Sequence, residues 1–303
     1  MERITNMMTS QATINDLATS YDSLAKTQEE MSSGLKISQP SDDPYGASEV
    51  VDLNSQLSAL TSYANNVNDG SAWLSTTSTA LGSINQSAQS VRELVVEASN
   101  GTMSPADMAS AAAEVNQLID SVKASANTTY NGSYIFSGTA TTTAPYQSGS
   151  DDTYQGNSGT ISRAIGPNTS VAVNTNISTL LGNGTGAADG GLLDTLRTIA
   201  SDLQGGDTAN LNSLRTTDLT SLDSNLSTLD SMQANVGSLT DRMTLASSQI
   251  QSYQQTATTQ LANTQDADLS QTAIDFSTAQ AAYTAALKAG ATIVQTSLVN
   301  FLN

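Results

Sequence analysis

Residues 50–74 read VVDLNSQLSALTSYANNVNDGSAWL, and their apolar positions decide the fold. Val50, Leu53, Leu57, Leu60, Ala64, Val67, Ser71 and Leu74 alternate by three and four, the spacing that keeps one face of a helix apolar. With one slip the stripe runs on through Leu81, Ile84, Ala88, Val91, Val95 and Ala98. About 50 residues at ~1.5 Å each make roughly 75 Å of helix, too long to wrap one small core. A rod is the expectation. Asn100-Gly101 supplies a C-cap, and Ser104-Pro105 opens the next helix with proline at its first position. That helix carries Met108, Ala112, Val115, Leu118, Ile119 and Val122.

Upstream, Ile14, Leu17, Tyr21, Leu24, Gln28, Met31 and Leu35 repeat the pattern. They end at Gly34 and at Gln39-Pro40-Ser41-Asp42-Asp43-Pro44, where two prolines fix φ and disfavour helix just before them. Downstream, Leu192, Leu196, Ile199 and Leu203 form a short stripe closed by Gly205-Gly206. A longer one starts with Leu211, Leu214, Leu219, Leu222, Leu226, Leu229, Met232 and Val236 and continues past Gly237 to Leu261. The last stripe is Phe276, Ala279, Tyr283, Leu287, Ala291, Val294, Leu298 and Phe301. Each stripe needs an apolar partner, and the candidates are one another. Terminal helix is expected to meet terminal helix, with the inner helices bundled.

The middle of the chain differs. All five prolines precede residue 168, and eleven of the twenty glycines fall between Gly132 and Gly191, which makes that span rich in turns. Tyr134-Ile135-Phe136 and Val171-Ala172-Val173 are short β-prone runs, and Tyr146, Tyr154 and Ile161 fit further short strands. The expected fold is mainly α: an elongated coiled-coil or helical-bundle rod formed by the N- and C-terminal helices, with a small β-rich domain inserted in the middle. The expected domains are 1–44 with 264–303 (terminal coiled coil), 45–132 with 192–263 (helical bundle) and 133–191 (outer, β-rich).

Composition excludes more chemistry than it suggests. The 303 residues include no cysteine and no histidine, so disulfides, thiolate metal sites, cysteine nucleophiles and the commonest general base are absent. A formal net charge of −18 argues against nucleic-acid binding, which needs clustered Lys and Arg. No apolar run approaches the ~18–20 residues that span a bilayer, so no membrane insertion is expected. The first residues show no basic stretch followed by an apolar one, so a cleaved signal peptide is not expected. Aromatics are only 4% of the chain, which suits thin interfaces between helices better than one thick core.

Candidate sites are few. Gly182-Asn183-Gly184-Thr185-Gly186-Ala187 is a degenerate phosphate-loop string with no clear strand before it, and reads as a flexible return to the helices. Asp42-Asp43 and Asp151-Asp152 are adjacent acids that read as caps or solvated loop residues, with a weak cation site as the alternative. Serines have no histidine partner, and Trp73 reads as packing. No catalytic, cofactor or metal residues are assigned, and no enzyme activity or cofactor is expected. Arg92, near the middle of a long helix in a chain of few cations, is either a surface ion pair or a cation facing a neighbouring subunit's acids.

Several strings, taken together and in order, resemble bacterial flagellin and its relatives among the flagellar axial proteins. They are Gln28-Glu29-Glu30-Met31-Ser32-Ser33-Gly34-Leu35-Lys36-Ile37, Asn68-Asp69-Gly70, Val91-Arg92-Glu93-Leu94, Asp266-Ala267-Asp268, Ala285-Ala286-Leu287-Lys288-Ala289 and Ser297-Leu298-Val299-Asn300-Phe301-Leu302. The resemblance covers roughly 1–145 and 192–303. Pro40-Ser41-Asp42-Asp43-Pro44, Asn131-Gly132-Ser133-Tyr134-Ile135-Phe136-Ser137-Gly138-Thr139 and Ala144-Pro145-Tyr146 are similar to the hook–filament junction branch of that family. The middle span is short for the family, and Lys and Arg are unusually scarce.

That resemblance implies an extracellular structural subunit of the flagellum, exported by the flagellar type III route without a cleaved signal. It implies a homo-oligomeric ring between hook-associated protein 1 and the first flagellin subunits, with an export chaperone on the C-terminal helix before secretion. The terminal helices would be disordered before assembly. The assembly seam would be Leu17, Leu24, Met31, Leu287, Val294, Leu298 and Phe301, with Pro40, Ser41, Asp42, Asp43 and Pro44 as the link between inner and outer domains. Flagellin itself is one alternative. A secreted coiled-coil adhesin with a receptor surface in 133–191 is another.

Overall fold

The structure, a computed structural model, describes the backbone of residues 2–149, 151–183 and 189–302, and side chains at Met8 and over 10–291 within those ranges. Helices α1 (Glu2–Ser33), α2 (Pro44–Ser99) and α3 (Pro105–Ala126) lead to two small hairpins, β1 (Thr129–Tyr130) with β2 (Ser133–Tyr134) and β3 (Ser162–Gly166) with β4 (Thr169–Ala172). A short α4 (Ser178–Leu181) precedes α5 (Leu192–Gly205), α6 (Thr208–Ser213), α7 (Leu219–Gln265) and α8 (Leu269–Leu302). The fold is mainly helical with a small sheet region, as the apolar spacing predicts. Its contacts fall into two compact units, Met1–Ala59 with Tyr253–Asn303, and Leu60–Ser252.

In the first unit α1 and α8 run antiparallel. Thr13 lies against Gly290, the Tyr21 and Tyr283 rings stand 5.8 Å apart, and Leu35 forms a backbone bridge with Asp266. The bridge is reinforced by Lys36 N–H to Gln265 O at 2.8 Å and Ala267 N–H to Gly34 O at 2.9 Å. Gly34 takes φ +72°, the left-handed turn that ends α1 and that an L side chain rarely adopts.

The second unit contains one continuous apolar core. On α2 the face buried in it runs Val67, Gly70, Leu74, Thr77, Leu81, Ile84, Ala88, Val91, Val95 and Ala98 at heptad spacing, with Leu60, Trp73 and Ala80 also buried in the core. The expected slip is therefore absent: Gly70 and Thr77 fill the positions where no large apolar residue stands. Thr77 is buried because its hydroxyl bonds the Trp73 carbonyl at 2.9 Å. Asn85 donates to Asp230 at 3.3 Å and Arg92 to Asp223 at 2.7 Å, so α2 and α7 lie antiparallel here. Ser104 caps α3 in a reciprocal box with Asp107.

Two local expectations are corrected. Leu222, Leu229, Val236, Met243 and Ile250 follow one another at sevens, but Leu214 stands eight before Leu222, and Leu214–Asp218 forms a π turn that takes up the extra residue. Asp218 fills the fully buried position between them, and Leu219 packs half-buried against the same core. Tyr146 and Tyr154 lie in loops rather than strands. Pro145 offers no amide for a ladder, and each phenol is spent on a backbone carbonyl instead: Tyr146 on Gly182 O and Tyr154 on Phe136 O, both at 2.7 Å. Their burial raises both phenol pKa values.

Candidate assembly surface

On α1 the half-buried positions between 10 and 30 are Ser10, Thr13, Leu17, Ser20, Leu24, Thr27 and Glu30, one face at three-and-four spacing. Two of the expected seam residues, Leu17 and Leu24, fall on this face, and Leu17 stands beside Leu287 of α8. Met31 and Leu287 remain 42% and 43% exposed, with Ile14 and Tyr21 more exposed still. Thr13, Ile14, Leu17, Leu287 and Ala291 line an apolar groove of about 380 Å³. Small residues on α8 (Ala279, Ala286, Gly290) let the helices approach closely but cover little of the large side chains. The side chains of Val294, Leu298 and Phe301 lie outside the described residues.

The Pro40–Pro44 segment is a turn held by its two acids. Asp42 accepts the N–H groups of Ser38 (3.1 Å) and Gln39 (2.9 Å), with Lys26 at 3.8 Å. The Gln39 and Ser38 amides hold the Asp42 carboxyl below its ordinary pKa. Asp43 accepts Tyr45 N–H at 3.1 Å, and Pro44 opens α2 at the position where no N–H is needed. Gly46 admits Ile37 and Asp43 so closely that an added Cβ would meet Ile37 Cδ1 at 2.5 Å. This is capping chemistry, and both carboxylates are committed to it.

Asp152 is engaged in the same way, by the chain's own cations. Lys123 Nζ donates to Asp152 Oδ1, Gly149 O and Asp151 O, each at 2.8 Å, and Arg197 Nε donates to Asp152 Oδ2 at 3.0 Å. The Asp152 side chain is fully buried and that of Lys123 is 3% exposed. Burial alone would raise the Asp152 pKa; the bonds from Arg197 and Lys123 outweigh it and lower it. Sequence reasoning missed Lys123 and Arg197, because the partners stand 29 and 45 residues from Asp152. Among the described residues no group of three or more metal-ligating side chains occurs.

The other singled-out positions have local duties. Arg92 pairs with Asp223 of its own chain, and the two side chains stay 41% and 47% exposed. In Asn68-Asp69-Gly70, Asp69 accepts the Tyr130 hydroxyl (3.3 Å) and Arg163 Nε (2.7 Å), tying both hairpins to α2. Gly70 leaves room for Met243 and Val173; a Cβ there would stand 2.9 Å from Met243 Cε. Asn131 and Gly132, at φ 49° and 78°, make the two-residue turn of the first hairpin. In the Gly182–Ala187 string, Asn183 N–H bonds Asp189 at 2.8 Å, and residues 184–187 lie outside the described residues.

Residues 4–141 match the N-terminal helical region of bacterial flagellin. Flagellin 1 of Proteus mirabilis is 38% identical over 127 residues, which are 42% of this chain and 35% of that protein. Phase 1 flagellin of Salmonella naestved is 38% identical over 126 residues, 41% of this chain and 25% of its own length. The chain thus spans about a third or less of the curated relatives it matches. The sequence likeness is that of a flagellin-type N-terminal helical region.

Among solved structures, a putative flagellar hook-associated protein from Vibrio parahaemolyticus superposes with a TM-score of 0.67 at 19% identity, over 74% of this chain and 100% of that one. Bacillus cereus FlgL gives 0.59 at 22% identity over 70% and 99%. Hook-associated protein 3 of Legionella pneumophila gives 0.59 at 16% over 70% and 97%. The fold is that of these flagellar hook-associated proteins.

Proposed function

We propose that this protein is a non-enzymatic structural subunit of the bacterial flagellum that joins the hook to the flagellin filament. The observation that carries the reading is the contrast in coverage: the hook-associated structures are matched over essentially their whole length, and the flagellins over one N-terminal stretch. The subunit forms a homo-oligomeric ring seated between hook-associated protein 1 and the first flagellin subunits, outside the cell. It reaches that place through the flagellar export channel, with a chaperone on its C-terminal helix beforehand.

Assembly proceeds through the terminal helix pair. Leu17 and Leu24 hold α1 to α8, while Met31 and Leu287 offer exposed apolar surface to a neighbouring copy. Val294, Leu298 and Phe301 extend that seam. Residues 1–44 and 264–303 act as the inner domain, 45–132 and 192–263 as the bundle, and 133–191 as the outer domain, with Pro40–Pro44 as the stiff link. Arg92 is engaged by Asp223 of its own chain, and its exposed remainder is what it offers to the acids of a neighbour. Burying apolar surface is the driving force, and it must exceed the entropy lost when subunits order against one another.

Immunogold electron microscopy with antibody against 133–191 tests the position. A single band between hook and filament is expected; label along the whole filament means flagellin, the reading that the 38% identity favours. Absence of label from flagella would favour the adhesin. Leu287→Asp tests the seam: the purified variant keeps its helix content but fails to incorporate, and normal motility with normal incorporation would overturn the assignment.

A further inference from the structure

In a chain without cysteine the soft sulfur is all thioether, and this chain has eight methionines. Burial divides those whose side chains are described. Met243 is fully covered, Met108 and Met232 are 5% and 9% exposed, and Met103 packs half-buried against the core of the second unit. Met8 and Met31, both on α1, are 68% and 42% exposed instead. These two differ in place. Met31 follows Leu24, and Leu24 follows Leu17, at heptad spacing, so Met31 continues the face on which both leucines are half-buried. Met8 falls outside that spacing.

We propose that Met31 is an oxidation site that gates assembly: a hydroperoxide converts its thioether to the sulfoxide in the free subunit, and the oxidised face no longer accepts a second copy. The step is a two-electron oxygen transfer. A sulfur lone pair attacks one peroxide oxygen, and the O–O bond breaks as the S–O bond forms. The proton on the transferred oxygen passes to the other oxygen, which leaves as water or as an alcohol. Sulfur is oxidised and the peroxide is reduced. The sulfoxide is polar, so burying it against an apolar neighbour leaves an acceptor unpaired. This inference rests on the assembly role proposed above, and it sets a time window. In the closed ring Met31 is covered, so the reaction belongs to the unassembled subunit. Enzymic reduction of the sulfoxide restores the apolar side chain.

Peptide mass spectrometry of the full chain after treatment with dilute hydrogen peroxide tests the site. One added oxygen is expected at Met31 at least about 10-fold faster than at Met108, Met232 and Met243, with the difference lost in urea. A Met31 that reacts no faster than Met243 in the folded chain overturns the proposal. Two substitutions test the gate in cells. Met31→Gln, polar and of similar length, should enter flagella at least roughly 10-fold less than Met31→Leu, which keeps the apolar volume without the sulfur. Normal incorporation of Met31→Gln where Leu287→Asp fails overturns the gate and leaves the seam standing. Normal incorporation of both variants overturns the gate and the seam together.

Discussion

In the α1–α8 pair the inward positions are Thr13, Leu17, Ser20, Leu24 and Thr27, whereas the corresponding face of α2 presents Leu74, Leu81, Ile84, Val91 and Val95 to a dry core. Both pairs are antiparallel and both follow three-and-four spacing. They differ in what fills the spacing. The first alternates leucine with hydroxyl residues and leaves Ile14, Tyr21, Met31 and Leu287 exposed, while the second buries each of these positions in the core. Periodicity thus specifies that two helices pair, and side-chain volume decides whether the pair is complete by itself or keeps surface for another partner.

The largest expected effect lies in the second unit. Asp152→Ala leaves Lys123 as an uncompensated buried cation and should cost about 3–5 kcal/mol, measured by urea unfolding followed by circular dichroism. Matching truncations sharpen the contrast. Leu81→Ala, in the dry core, should cost about 2–5 kcal/mol, and Leu24→Ala, in the α1–α8 contact, about 1 kcal/mol. Equal costs would erase the distinction between the two pairs. The smallest effect is at the link: Asp42→Asn should loosen the Ser38–Gln39 turn. Because the wild-type carboxyl titrates below its ordinary value, its contribution is present above pH ~4 and fades as acid protonates it. Amide exchange at Ser38 and Gln39, compared between pH 3 and pH 7 in both proteins, checks this.

Much of this architecture is legible in the sequence. Helix ends at Gly34, Asn100-Gly101 and Gly205-Gly206 follow from local backbone preference, and the stripes follow from a repeat that needs only nearby residues. What escapes depends on distant partners. Lys123 and Arg197 look like ordinary surface cations until the fold brings Asp152 to them. Leu219 keeps its place in the stripe but only half-buried, because the extra residue in the π turn turns Asp218 fully inward beside it. Tyr146 and Tyr154 look β-prone, but their hydroxyls find carbonyls far along the chain, and those bonds hold them in loops. For the assembly seam, spacing identifies the face that is apolar, and the division into covered Leu17 and Leu24 against exposed Met31 and Leu287 needs the packed helices.

Trp73, the single tryptophan of the chain, is 4% exposed, edge-on to Tyr130, and its indole N–H finds no acceptor among the described residues. An indole in so apolar a setting emits at short wavelength and shifts to the red when water reaches it. Met1–Ala59 with Tyr253–Asn303 contains no tryptophan and holds the tilted Tyr21–Tyr283 ring pair instead. Tyrosines stand in both units, so tyrosine emission mixes the two, whereas tryptophan emission excited at the red edge of its absorption follows the opening of the Leu60–Ser252 core alone.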